Sequence, residues 1–463
     1  MNKKNTKVDN ATIASAYGCG LHGLTARPVR VEVEVRPAKW PEFHVSGMPD
    51  TSAREVKNRV RSALAASGAT FLEGRDIHVT VGAAGELHAD PGLDVPIALA
   101  VAAACGVCPA GEIADPTLLT TGELALDGRI RAVRGVTALL RSAPEARWIV
   151  PHANAIEIPI VQARAQGTEV ARTLADVIAA LSGGAPLESI GPGTYRPEIT
   201  HVGGPDLLDV PSASARRALE IAAAGCHDLL LIGGPGSGKT MLARRLTGIL
   251  PLPTREEAEE IAAVHGAAGL PNAHGIRPFR APHHTVSLAA VEGGPVGGPV
   301  SGGWDGRASR SRPGEVSLAH GGVLFLDQVL DFRPDVLRAA RVAYIDGRSG
   351  LYPACYPARF ALAAAVDPCA CGYDDADRCR CSPALRARYK ERLAELAATF
   401  DLTYRVEAET LGELAANAKD PGEASSAVRK RVTRARATAR GVVAGTDRVA
   451  RTVEVLALTA EVV

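Results

Sequence analysis

Apolar and polar residues alternate along the first part of the chain in two different periods. Residues 29–35 alternate one by one, as in a strand with one buried face, whereas residues 53–67 carry apolar side chains at helical spacing. The same apolar periodicity predicts a strand over residues 77–81, an apolar helix over 94–105 and a further segment over 121–136. We therefore expect an α+β unit over residues 1–181, with Val56, Val60 and Leu64 on the buried face of the first helix.

Two wholly apolar four-residue runs, 229–232 and 323–326, dominate the second part. Such runs are typical of strands buried on both faces, and the intervening helical patterns predict an α/β unit with a mainly parallel sheet over residues 206–402. Residues 182–205 are rich in Gly, Pro and Ser, which predicts a linker. Residues 403–463 are expected to be helical. Thr254 and Glu257 have capping-box spacing at a helix start.

Composition narrows the class of protein without identifying partners. The chain has 463 residues, 46% of them apolar, and a net charge of +1, which is typical of a folded protein of two or three domains. Contacts with nucleic acid would need local basic patches. The most apolar run, residues 95–107, is shorter than the roughly 20 residues that a membrane span needs, so we expect a cytoplasmic protein.

The strand at residues 229–232 leads directly into a complete GxxxxGKT sequence. In this strand–loop–helix context, backbone N–H groups surround a β-phosphate, a lysine neutralises the β- and γ-oxygens, and a threonine hydroxyl holds Mg²⁺. A flexible Gly/Pro loop is the weaker alternative. The sequence thus predicts an ATP site at Gly233, Gly234, Pro235, Gly236, Ser237, Gly238, Lys239 and Thr240.

The second apolar run ends at Asp327, which is where a carboxylate would complete the Mg²⁺ shell together with Thr240. In most ATPases of this kind the next residue is a glutamate that deprotonates the attacking water, but here it is Gln328. An amide can hold a water molecule but does not readily take its proton. The site is therefore expected to bind ATP better than it hydrolyses it.

Four of the nine cysteines fall within thirteen residues as two CxC pairs, Cys369, Cys371, Cys379 and Cys381. Two such pairs separated by a turn can bring four thiolates to one tetrahedral point, although the usual zinc spacing is CxxC. A structural Zn²⁺ site, free thiols and a redox pair remain alternatives. We expect the others to be small packing residues, namely Cys19, Cys105, Cys108, Cys226 and Cys355.

Several longer runs stand out: PFRAPHHTVSL at 278–288, PGEVSLAHGGVLFLD at 313–327 and, nearer the N-terminus, the runs at 47–50, 58–64, 93–99 and 122–129. In this order they resemble the YifB/ComM family of magnesium-chelatase-like AAA+ ATPases. The resemblance implies a Lon-protease-like (S5 domain 2-like) α+β domain followed by a P-loop AAA+ domain that uses ATP and Mg²⁺. It also implies a hexameric ring, and ComM-type members act as helicases in DNA branch migration during transformation and recombination.

The chain departs from the family pattern at its catalytic positions. Around residues 91–94 there is no serine, and no lysine follows Gly135, so a Ser-Lys protease dyad is absent. Asp367 stands where the family has a sensor asparagine, and Thr399 stands in the arginine-finger segment. A finger contributes about 10³ to 10⁵ in rate. The residues from 403 onward resemble an abbreviated lid.

These departures favour an ATP-binding protein of DNA processing with weak hydrolysis, in a homo-oligomeric or mixed ring. An active motor is the alternative, with Glu315 as base or with the finger replaced by Arg386, Arg388 or Arg392. A metal-chelatase ATPase subunit is a further alternative.

Three other features of the sequence can each be interpreted in two ways. The glycine-rich stretch 293–306, with Trp304 and the following Arg307, Arg310 and Arg312, is either a pore loop on nucleic acid or a solvated loop. Residues 428–440 carry six basic side chains, which favour a solvated helix face over a phosphate-binding surface. Its apolar side is expected to hold Val428, Val432, Ala435 and Ala439. The pair His283 and His284 is expected to be structural.

Overall fold

The computed structural model describes ten stretches of the chain. They are residues 11–68, 74–82, 91–161, 168–191, 205–270, 275–295, 311–350, 355–375, 377–407 and 422–442.

The first part forms an eight-stranded mixed sheet in the order β10-β9-β8-β5-β1-β2-β4-β3. Its strands are β1 Thr12–His22, β2 Thr25–Pro37, β3 Phe43–Ser46, β4 Arg75–Val81, β5 Leu118–Thr120, β8 Arg147–Pro151, β9 Thr168–Ala171 and β10 Glu188–Ile190, while β6 Glu123–Leu124 and β7 Ile130–Arg131 form a separate hairpin. The long β1–β2 hairpin is antiparallel, and β5, β8 and β9 add to it in parallel. The α+β expectation is met.

Among the described residues of the first part, five helices accompany this sheet. They are α1 Asp50–Ala66, α2 Asp94–Ala104, α3 Ala110–Ile113, α4 Val136–Ser142 and α5 Leu174–Leu181. Val56, Val60 and Leu64 of α1 are buried, as their spacing predicts, and every residue of α2 is buried. The helix α2 therefore forms the centre of this core, packed between α1 and the β1–β2 hairpin.

The second sheet has five parallel strands in the order β12-β15-β18-β11-β19. They are β11 Leu229–Ile232, β12 Phe279–Arg280, β15 Val323–Leu326, β18 Ala361–Val366 and β19 Leu402–Arg405; the two-stranded pairs β13 Gly293–Pro295 with β14 Ser311–Pro313 and β16 Arg348–Ser349 with β17 Tyr356–Pro357 lie outside it. Both wholly apolar runs are central strands, so the parallel α/β prediction is confirmed.

The described residues of the second part form eight helices. They are α6 Ala213–Gly225, α7 Lys239–Ile249, α8 Arg255–Ala268, α9 Leu288–Glu292, α10 Glu315–Leu318, α11 Pro334–Asp346, α12 Pro383–Ala397 and α13 Ser425–Val442. The predicted capping box starts α8, because Thr254 accepts from the Glu257 backbone and the Glu257 carboxylate accepts from Thr254 N–H. Among the helices of the described stretches, none is long and apolar enough to cross a membrane.

Two expectations about segment boundaries differ from the structure. The sequence predicts that the α/β unit ends at residue 402 and that a helical region begins at 403. In the structure, residues 402–405 form β19, which pairs in parallel with β11. The strand lies at the sheet edge, where only part of each side chain is buried, so its apolar signal is weak. Similarly, β10 lies inside the predicted linker because Glu188–Ile190 pairs with β9.

Helix α13 is not surrounded by solvent, because it packs on α6 and α7. Val428 and Val432 are fully buried in the core of the second part, as predicted. Ala435 is exposed, however, so the expected apolar face is shorter than its spacing suggested. The side chain of Ala439 lies outside the described residues.

The two parts share a core at helix α8. Ala258 and Ala262 of α8 pack in one cluster with α4 and β8 of the first part. The backbone N–H of Gly135 donates to Gly266 O at 3.0 Å, and Arg255 donates to Pro159 O and Ile160 O, both at 3.3 Å. Helix α8 therefore attaches the first part to the unit that carries the GxxxxGKT loop.

A buried ion pair stabilises the centre of the first part. Asp94 is fully buried and accepts from Arg59 Nε at 2.6 Å, from Arg59 Nη2 at 3.1 Å and from Leu124 N–H at 3.0 Å. Desolvation nevertheless raises the pKa of Asp94 to about 6. Glu55, by contrast, is 74% exposed and 3.7 Å from Arg59.

We expect Asp94→Ala to destabilise the protein strongly, by about 3–5 kcal/mol, because the Arg59 charge is left without its buried partner. Glu55→Ala removes only an exposed partner of the same arginine and should cost at most about 1 kcal/mol. Thermal unfolding of the full chain at neutral pH compares the two variants. Equal losses of stability would show that the buried pair is not the stabilising one.

Candidate nucleotide-binding site

The phosphate loop connects the central strand β11 to helix α7. Gly236 and Gly238 adopt left-handed backbone conformations, with φ of +75° and +93°, which residues with a Cβ rarely adopt. A Cβ on Gly233 would lie 2.6 Å from Val406 O, so this position also needs glycine. Ser237 Oγ is buried and has no hydrogen-bond partner among the described residues. The loop therefore has backbone conformations that its glycines permit.

Lys239, the first residue of α7, carries a nearly buried charge. Its side chain is 7% exposed, and Nζ donates to Gly233 O at 2.7 Å, to Gly234 O at 2.9 Å and to Asp367 Oδ1 at 2.9 Å. An ammonium has three protons, and each has an acceptor here. A phosphate oxygen must therefore replace at least one of these acceptors to reach Lys239.

Thr240 and Asp327 meet at the carboxyl edge of the sheet. Thr240 Oγ1 donates to Asp327 Oδ2 at 2.9 Å, although the two residues are 87 positions apart in the chain. A hydroxyl beside a carboxylate is the donor set that Mg²⁺ uses next to a nucleotide phosphate. The residues present therefore fit an ATP–Mg²⁺ complex.

Gln328 is one of two non-glycine residues with positive φ in the described stretches, at +53°. Its Nε2 donates to Asp367 Oδ2 at 3.0 Å, while the other oxygen of the same carboxylate accepts from Lys239. Asp367 therefore bridges the phosphate loop and the residue after Asp327. The sequence indicated each of these positions separately but not this bridge, which exists because β18 lies between β11 and β15.

Thr399 lies at the amino ends of the strands, opposite the carboxyl ends where the phosphate loop begins. It shortly precedes β19, and its carbonyl accepts from Arg341, which also pairs with Asp228. Asp228 stands immediately before β11, whereas the phosphate loop follows β11. Within one chain, Thr399 is therefore separated from Lys239 by the length of the strand.

Three of the four residues considered as substitutes for the missing groups have other partners. Glu315 accepts from Arg280 at 2.6 and 2.7 Å, and Arg392 donates to Leu330 O at 3.2 Å. Arg386 lies beside the cysteine pairs, where the Cys379 thiol raises its pKa. Arg388 is exposed on α12.

The four cysteines of the CxC pairs converge. The four Sγ atoms all lie within 4.8 Å of one another, with Cys369–Cys379 at 3.7 Å and Cys371–Cys379 at 3.6 Å. Four sulfurs at about 2.3 Å from a tetrahedral Zn²⁺ would be about 3.8 Å apart. The cluster therefore fits a zinc ion, as one of the three sequence alternatives required.

The thiols of this cluster differ in acidity. A backbone hydrogen bond at Tyr373 lowers the pKa of Cys371 to about 6. Desolvation, together with Cys369 and Cys371, raises the pKa of Cys381 to about 12. At neutral pH the apo cluster therefore keeps protons that a bound dication would displace.

The remaining cysteines behave in two ways. Cys19 and Cys108 are buried and Cys105 is half-buried, as expected for packing residues. Cys226 and Cys355 are exposed, so the packing expectation is wrong for them. Cys226 is the left-handed C-terminal cap of α6, where its side chain points away from the core.

The other candidate features are only partly described. The rings of His283 and His284 lie 4.0 Å apart at a tilt of 36°, and His284 meets the Phe332 ring edge-on. His283 Nδ1 lies 2.9 Å from Thr285 Oγ1. These contacts agree with a structural role. Within the glycine-rich stretch and its basic flank, Trp304, Arg307 and Arg310 lie outside the described residues, while Arg312 is exposed.

Comparisons with known proteins match both parts of the chain. The profile described as magnesium chelatase, subunit ChlI, matches residues 206–414, and that described as subunit ChlI of Mg-chelatase matches residues 31–154. Similar proteins include an uncharacterized protein of Mycobacterium tuberculosis, 37% identical over 92% of this chain and 83% of its own length.

Two named relatives extend the same result. The uncharacterized protein YifB of Escherichia coli is 37% identical over 89% of this chain and 79% of its own length. The competence protein ComM of Haemophilus influenzae is 36% identical over 92% of this chain and 82% of its own length. With this coverage, the chain belongs to the magnesium-chelatase-like YifB/ComM family.

Proposed function

We propose that this protein binds ATP and Mg²⁺ at the Lys239–Thr240–Asp327 site and hydrolyses ATP slowly, as a subunit of a ring that works in DNA processing. The observation that carries the proposal is the convergence of these three residues on the carboxyl edge of a parallel sheet, where such sheets bind ligands. We also propose that the Cys369, Cys371, Cys379 and Cys381 cluster holds a structural Zn²⁺.

Each residue of the site has a separate role in this proposal. The left-handed loop at Gly236 and Gly238 directs N–H groups toward phosphate oxygens, and Lys239 neutralises their charge. Thr240 and Asp327 would hold Mg²⁺, which polarises the phosphate and shields its charge. Asp367 opposes this binding, because its carboxylate competes with phosphate for the Lys239 ammonium.

An active motor is a second candidate, supported by the contact between Gln328 and Asp367. Compared with the family pattern, the carboxylate and the amide stand at exchanged positions. The resulting pair still contains one acid and one amide joined by a hydrogen bond. In this alternative the Asp367 carboxylate takes the proton of the attacking water, and Gln328 orients that carboxylate.

The DNA-processing role rests on the family and on the competence protein among the relatives. In a hexameric ring a finger acts on the site of the neighbouring subunit, which would explain why Thr399 lies far from Lys239 of its own chain. Slow hydrolysis then follows from the lack of an arginine at this position. Steady-state phosphate release with and without branched DNA separates the binding subunit from the DNA-stimulated motor.

Lys239→Ala should abolish ATP binding, because the phosphates lose their main cationic partner. The exposed Lys390 on α12 offers a matched control, and Lys390→Ala should leave the affinity unchanged. Equilibrium titration with a fluorescent ATP analogue in the presence of Mg²⁺ measures both. If Lys239→Ala binds as tightly as the unaltered protein, the assignment of the site is wrong.

Asp367→Asn should tighten ATP binding by about tenfold, or ~1.4 kcal/mol, because the amide no longer competes as an anion for Lys239. The same titration gives the ratio of dissociation constants. The ion pair of Asp374 with Arg405 at 3.1 Å provides a control aspartate on the same segment, and Asp374→Asn should not tighten binding. Weaker binding by Asp367→Asn would mean that Asp367 helps to position Lys239 for phosphate.

Gln328→Glu alone should lower turnover, because a second carboxylate would face Asp367 at the present 3.0 Å contact. Gln328→Glu combined with Asp367→Asn should raise turnover above that of the single variant, by up to about 10² to 10⁴ if general-base catalysis is restored. Phosphate release at saturating ATP compares the four proteins of this cycle. A single variant faster than the double variant would contradict the exchanged-pair interpretation.

A further inference from the structure

The segment that carries the four clustered thiols lies directly against the phosphate loop. Gly372, between Cys371 and Tyr373, has φ of +88°, and a Cβ there would lie 2.7 Å from Pro235 Cγ. In the reverse direction, a Cβ on Gly234 would lie 3.3 Å from Gly372 O. One backbone stretch of the cysteine segment therefore packs against the phosphate loop, and we call this contact the Gly372 wall.

The segment that contacts the phosphate loop also carries the thiol cluster. We call residues 369–372 the first limb of the segment and residues 379–381 the second limb. The first limb carries Cys369 and Cys371, and the second carries Cys379 and Cys381. Of these four, Cys369 and Cys379 are buried. Other described contacts of the segment are the backbone bond from Cys379 N–H to Asp375 O at 3.0 Å and, nearer the surface, the Arg378–Asp375 pair at 2.8 Å and Arg378 over the Tyr373 ring. The Arg405–Asp374 pair at 3.1 Å joins the segment to β19.

Exposed pairs of this kind contribute little free energy, whereas four thiolates on one Zn²⁺ fix both limbs strongly. Without a cation, no covalent bond joins the sulfurs of the two limbs, because all four cysteines are free. The geometry of Gly372 is therefore expected to be tightly defined only when a cation closes the cluster.

A second route connects the cluster to the site. Cys369 is two residues beyond Asp367, whose carboxylate bonds to Lys239 and Gln328. Tyr389 Oη donates to Asp367 O at 2.9 Å, so the start of the segment is also anchored on α12. A shift of the first limb would thus move both the Gly372 wall and the Asp367 carboxylate.

We propose that occupancy of the four-thiol cluster by a tetrahedral divalent cation such as Zn²⁺ and occupancy of the phosphate loop by ATP are positively linked. The proposal rests on the proposed nucleotide site and adds a regulatory ligand to it. Linkage is reciprocal, so ATP must tighten metal binding by the same factor by which the metal tightens ATP binding. A coupling of about 5- to 150-fold is the usual range between two sites.

The full chain, stripped of metal by a chelator under reducing conditions, allows a direct measurement. Co²⁺ reports the cluster through its thiolate absorption, and a fluorescent ATP analogue with Mg²⁺ reports the phosphate loop. We expect at least fivefold tighter nucleotide binding after Zn²⁺ loading, and equally tighter Zn²⁺ binding in the presence of ATP. Metal binding with unchanged nucleotide affinity, or no Co²⁺–thiolate absorption, would overturn the linkage.

Gly372→Ala tests the contact while all four thiols remain. Its methyl group would collide with Pro235, so the Co²⁺ signal should persist while the metal-loaded protein binds nucleotide at least fivefold more weakly. Gly183→Ala is a matched control, because Gly183 has φ of +83° and nothing within 4 Å of a Cβ. If both variants keep full nucleotide affinity, the Gly372 wall does not carry the linkage.

Cys381→Ser provides an independent variant, which should weaken metal binding and abolish the effect of Zn²⁺ on nucleotide affinity. The results also separate this inference from the proposed function. Metal-loaded unaltered protein that binds no nucleotide would refute the nucleotide site itself. Nucleotide binding that ignores the metal would refute only the linkage.

Discussion

A buried ammonium must be surrounded by acceptors, and the Lys239 ammonium imposes this constraint on the whole candidate site. Two of its acceptors are carbonyls of the phosphate loop, and the third is a carboxylate at the end of the neighbouring strand β18. This arrangement is possible only because β18 is inserted between β11 and β15 in the parallel sheet. The order of strands thus determines which charges the phosphate-binding lysine meets.

The same carboxylate explains why the site cannot be judged one residue at a time. Taken separately, Gln328 looks like a lost base and Asp367 looks like an unfavourable anion. Together they form one hydrogen-bonded unit, in which Gln328 adopts a left-handed backbone conformation that is uncommon for a residue other than glycine. Backbone strain of this kind is kept where surrounding contacts require it, and here the contact is with Asp367.

Local sequence signals predicted the parts of the structure that local physics determines. The apolar runs at β11 and β15, the glycines of the phosphate loop and the Thr254 capping box all depend on near neighbours in the chain. The bridge between Gln328 and Asp367 depends instead on strand order, which hydrophobic periodicity does not contain. The edge strands β10 and β19 were missed because their side chains are only partly buried, which leaves little pattern to detect.

Helix α8 gives the molecule a mechanical property that neither part has by itself. It follows α7 after a short connection, and its Ala258 and Ala262 are packed inside the core built by α4 and β8. Close-packed interiors resist deformation and tend to move as units. Since α8 also packs on α10 and β14 of the second part, the eight-stranded sheet would turn together with the unit that carries the phosphate loop and would not hinge freely from it.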